Sequence, residues 1–128
     1  MKKEILDLSK ERELLTTVSK RIWDNVVKDT EIICKKLGLN QKQKNAILQR
    51  AMADIRIADM KKINEYLSRT DDSSAKEAIK KNKVRIVDME YVYNENLKET
   101  QELNEEIEKM QMELIASREN KQTNKNDK

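Results

Sequence analysis

The chain predicts an all-α fold: an elongated, antiparallel three-helix bundle with a long, coiled-coil-like C-terminal helix. Three observations carry this. Across 128 residues there is no proline and one glycine, Gly38, and these two residue types are the usual helix breakers and turn formers. Charged residues make up 40% of the chain and hydrophobic residues 37%, with one Trp, three Tyr and no Phe, a profile of long helices rather than of an aromatic-rich core. Apolar residues recur at helical spacing, while the Asn-Gly and Asp-Gly pairs that close strand hairpins are missing.

The first helix is expected over about residues 3–37. Leu15, Val18, Ile22, Val26, Ile33 and Leu37 share one face. Gly38 supplies the left-handed residue that ends a helix, with Leu39 as the accompanying apolar contact. Asn40 and Gln43 have the spacing of a capping box, so the turn at 38–40 is specified from both sides. The second helix is expected over 41–69, with Leu48, Ala51, Met52, Ile55, Ile63 and Tyr66 on one face. Asp59 and Lys62 interrupt that stripe and read as a boundary pair that snorkels outward, a buried pair that fixes register or a recognition site. The stretch Thr70 to Ser74 is the loop-like cluster, and Ser74 with Glu77 offers a second capping box.

The third helix is expected over 75–117. Ile79, Ile86, Tyr93, Thr100, Ile107 and Leu114 fall every seven residues, and Met89, Asn96, Leu103 and Met110 complete an a/d seam. Thr100 and Asn96 weaken its middle. Residues 1–119 thus read as a single helical domain, and the polar stretch 120–128 as a frayed tail. At 1.5 Å per residue the three helices measure roughly 52, 43 and 65 Å. Folded antiparallel, residues 104–117 would overshoot the body and leave Ile107, Met110 and Leu114 uncovered.

No catalytic constellation is visible, so the chain is expected to be no enzyme. It has no histidine, the usual general base and metal ligand, and no cofactor or small-molecule substrate is expected. Cys34 has no partner for an intramolecular disulfide and lies near a helix C-terminus, whose dipole disfavours a thiolate. Glu4 and Asp7 interrupt any signal-peptide core, and no apolar run approaches the roughly 20 residues of a membrane span. A cytoplasmic protein with no membrane association is the expectation.

The expected function is protein–protein interaction, as adaptor, scaffold, chaperone or assembly factor, with self-association through the seam. The interface expected is Trp23, Val27, Ile86, Tyr93, Leu103, Ile107, Met110 and Leu114. The alternative is a nucleic-acid accessory protein. The net charge is only +3, but cations cluster at Lys35, Lys36, Lys42, Lys44 and Arg50, and again at Lys76, Lys80, Lys81, Lys83 and Arg85. From Asp88 to Glu113 the sign reverses, with nine acids and two lysines.

Overall fold

The computed structural model describes residues 6–126, with side chains through Asn120. Every element among the described residues is helical: α1 (Leu8–Glu13), α2 (Thr17–Leu37), α3 (Gln41–Leu67), α4 (Ser73–Glu99), a 3-10 turn (Gln101–Leu103) and α5 (Asn104–Asn126). The all-α class is as the composition dictates. The number and path of the helices differ from the expectation at two breaks.

The first break divides the expected first helix, whose residues 3–5 lie outside the described part. Asp7 caps α1 by accepting from the backbone N–H of Ser9. The helix stops at Leu14, and Thr16 then caps α2 by accepting from the Ser19 N–H at 3.2 Å. A threonine N-cap restarts a helix without proline or glycine. The exposed Leu14 carbonyl accepts from Arg56 at 3.0 Å, which satisfies the interrupted backbone. Leu6, just ahead of α1, packs against Ala53, Met60, Ile86 and Met89 of α3 and α4.

The second turn of the chain follows the sequence closely. Gly38 adopts φ +64°, and the Leu39 N–H returns to the Cys34 carbonyl at 3.0 Å. Asn40 and Gln43 form the full capping box, at 2.8 and 3.0 Å. α2 and α3 therefore run antiparallel. Ser19 donates to Asp59 at 2.8 Å, which fixes their register. α2 thus begins level with Asp59, so Ile63 and Tyr66 lie past its end and stay exposed, where the periodicity had assigned them to a core-facing stripe.

α3 and α4 form the most extensive helix pair, tied by Asn82 donating to Asn64 at 2.9 Å and Asn96 donating to Gln49 at 3.2 Å. The α4 N-cap is Asp72, not Ser74, and it accepts from the Ser74 N–H at 3.0 Å. A charged carboxylate at this position also meets the helix dipole.

The second break falls at Thr100, in the middle of the seam. Arg50 donates to Thr100 at 3.1 Å and to Asn104 at 2.9 Å, the Thr100 hydroxyl donates to Asn104 at 2.6 Å, and Asn104 donates to the Leu97 carbonyl at 3.1 Å. This knot of side chains takes over from the helical ladder and turns the chain. α5 then returns over α2 instead of projecting. Ile107 is fully buried with Ile33, Cys34 and Ile47, Met110 and Leu114 pack beside them, and Arg118 pairs with Asp29. The backbone stays helical through Asn126, where the polar composition had suggested a frayed tail. Nothing in that stretch breaks a helix. The expectation for 127–128 lies outside the described residues.

Candidate functional site

The eight expected interface residues all lie along helix faces that the chain covers itself. Trp23 is 6% exposed and packs with Leu15 and Met52, and Val27 lines the same cluster. Ile86 is buried with Ala53, Met60 and Met89, and Tyr93 packs against them. Leu103, Met110 and Leu114 surround the Ile33, Cys34, Ile47 and Ile107 cluster. The seam that the heptad spacing marks out is closed within the chain, by α3 along α4 and by α2 along α5. The surface this arrangement leaves open lies largely elsewhere, although Tyr93 also reaches the wall of an open cavity.

The ten expected phosphate contacts divide sharply. Around the first turn Lys42 pairs with Glu99 at 3.4 Å, Lys44 pairs with Glu31, and Arg50 is 5% exposed inside the knot at Thr100. Burial pushes the Arg50 pKa down, opposed by nearby Tyr93 and Glu108. Arg85 pairs with Glu11. That leaves Lys35 and Lys36 at one end of the molecule and Lys76, Lys80, Lys81 and Lys83 at the other, all exposed and in no ion pair among the described residues.

Two buried acids have partners that the sequence pattern did not show. Glu11 is 4% exposed and sits between Arg56, at 3.1 Å, and Arg85. Desolvation lowers the Arg56 pKa, and Asp59 pulls it back up. Asp59 does not pair outward with Lys62. It is buried, with one carboxylate oxygen on Ser19 and the other, Oδ2, without a hydrogen-bond partner. A lone acid on an apolar stripe was visible in the sequence, but its partner was not. Cys34 is buried, and desolvation raises its thiol pKa. No group of three His, Cys, Asp or Glu among the described residues is set to hold a metal ion. No described helix is long and apolar enough to cross a membrane.

What remains open is apolar. A cavity of about 380 Å³ lies between α2, α3, α4 and α5, walled by Ile22, Val26, Ile55, Tyr93, Met112 and Ile115, with Asp29 and Asp54 among its polar lining. Ile22, Met112 and Ile115 at this cavity are each more than 40% exposed. The second open surface is the outer face of α4. Val84, Val87 and Tyr91 recur at three- and four-residue steps there and are 64%, 60% and 47% exposed. Their spacing was readable in the sequence, on the face opposite the heptad seam. Comparison with protein-family models, curated proteins and solved structures finds no match for this chain.

Proposed function

We propose that the protein is a non-enzymatic protein–protein interaction module that associates with itself, in the manner of a scaffold or assembly factor. The observation that carries this reading is the apolar surface left over once the fold has closed. Isolated exposed apolar side chains are normal on any protein, whereas aligned ones mark contact surfaces. The cavity flanked by Ile22, Met112 and Ile115 and the stripe Val84, Val87 and Tyr91 are both aligned along helices. The heptad seam takes a different part in this reading from the one its spacing suggested: it builds the scaffold on which these surfaces are displayed. The test is the solution mass across the micromolar range by light scattering. The reading expects a mass above the 15.1 kDa of one chain, rising with concentration. A constant 15.1 kDa throughout contradicts self-association.

One observation favours a second reading, a nucleic-acid accessory protein. Lys76, Lys80, Lys81 and Lys83 are exposed at the end of the α3–α4 hairpin, with Lys61 and Lys62 exposed on α3 nearby. Phosphate binding by such a cluster predicts affinity that falls steeply with salt. Gel shifts at low salt test it, and no shift at micromolar protein removes it.

A further inference from the structure

We propose that the outer face of α4 is where two copies of this chain pair, helix against helix and antiparallel, about a two-fold axis near Val87. This inference rests on the self-association proposed above and names its surface. The core-facing side of α4 is already occupied: Ile86, Met89 and Tyr93 pack against α3 and its neighbours. On the opposite side stand Val84, Val87 and Tyr91, the apolar centre of a face that stays open among the described residues. A helix apolar on two opposite sides is built for two neighbours, and α3 supplies only one.

Charge identifies the second neighbour. Toward the N-terminus of the stripe the outer face carries Lys76, Lys80 and Lys83. Toward its C-terminus come Glu90 and Glu95, with Lys98 beside them, while Glu99 is held by Lys42 of α3. The face is therefore basic at one end, apolar in the middle and acidic at the other. With the axis between Val87 and Asp88 and the helices antiparallel, Lys80 of one copy comes level with Glu95 of the other, and Val84 with Tyr91. Each of these matches occurs twice, as an isologous contact requires. A parallel pairing instead sets Lys80 against Lys80 and Glu95 against Glu95, which repel. Glu95 already holds Lys98 of its own helix at 3.1 Å, but both side chains are well exposed, so exchanging that partner costs little. The face is thus complementary to itself in one orientation only.

The test is sedimentation of the full chain over a concentration series, alone and with three variants, each checked by its helical circular dichroism and melting. All the altered positions are exposed, so the fold of the single chain should be unchanged. Val87→Glu sets two like charges beside the axis and should weaken the dimer about a hundredfold. Lys80→Glu breaks two symmetric pairs and should weaken it roughly tenfold. Lys80→Glu combined with Glu95→Lys reverses both partners and should recover affinity to within a few-fold of the unaltered chain. Recovery in the double variant is specific to the antiparallel register. A dimer indifferent to Val87→Glu overturns the α4 surface while leaving self-association standing. A dimer that the double variant fails to recover overturns the register. A monomer at every concentration removes both the surface and the self-association on which it rests. Pairing that appears only with added nucleic acid assigns the lysines to phosphate and overturns the proposal.

Discussion

At Glu11 one buried carboxylate meets two guanidinium groups, Arg56 and Arg85, and so ties α1 to both α3 and α4. The side chains of Glu11 and Arg56 are 5% and 7% exposed, so losing one partner strands a charge that water cannot reach. Glu11→Ala should cost about 3 kcal/mol of stability, read as a shift in the urea midpoint. Replacing Glu11 by Leu together with Arg56 by Met should cost much less, because the one charge left without its partner, on Arg85, is 43% exposed and can be hydrated. A single variant as stable as the unaltered chain would contradict the hub. Cys34 makes the opposite point about a polar group left neutral. Burial raises its pKa, so above about pH 8.5 the unfolded thiol ionises while the folded one keeps its proton. Its contribution to stability therefore falls as pH rises through that range. Alkylation near neutral pH should run at least about tenfold slower in the folded chain than in urea. Equal rates would place the thiol at the surface.

At the scale of single elements, the turn at Gly38 to Asn40 was legible in full and the break at Thr100 was not. The difference is physical. Gly38 and the Asn40–Gln43 box act through neighbouring residues, and local sequence records local geometry. Gly38 has φ +64° and open space where a Cβ would stand. Gly38→Ala should therefore cost about 1 kcal/mol, from the left-handed conformation alone, read as a shift in the urea midpoint. A midpoint unchanged by that substitution would contradict the left-handed cap. The break at Thr100 depends on Arg50, fifty residues away, reaching Thr100 and Asn104. Periodicity cannot show such a contact, although Thr100 and Asn96 did stand out as weak seam positions. The break at Thr16 is similar, since Arg56 receives the freed Leu14 carbonyl from across the fold. The inward face of α4 and α5 was legible as an apolar seam, but Ile107, expected to lie uncovered, is fully buried. The destination of that face was not legible, because a seam looks the same whether it closes within a chain or between chains. Ending the chain at Leu103 separates the two cases. If α5 returns over α2, its loss uncovers Ile33 and Ile47, and stability should fall by about 3 kcal/mol or more. A projecting helix predicts no change in the urea midpoint.

For the whole molecule, the return of α5 reverses the argument from helix lengths. The surplus length of the third segment does not project as a free stripe. It closes the body, and the open apolar surface moves to the outer face of α4 and the cavity between α2, α3, α4 and α5. The charges move with it: the cations around the first turn are largely spent on Glu31, Glu99, Thr100 and Asn104, while those at the start of α4 stay free for an external contact. An account in which the chain closes its own seam and pairs through α4 is tested most directly by sedimentation equilibrium of the unaltered chain beside Val87→Glu. It predicts twice 15.1 kDa for the first and 15.1 kDa for the second at the same micromolar concentration. Equal masses for the two, whether one chain or two, would contradict it.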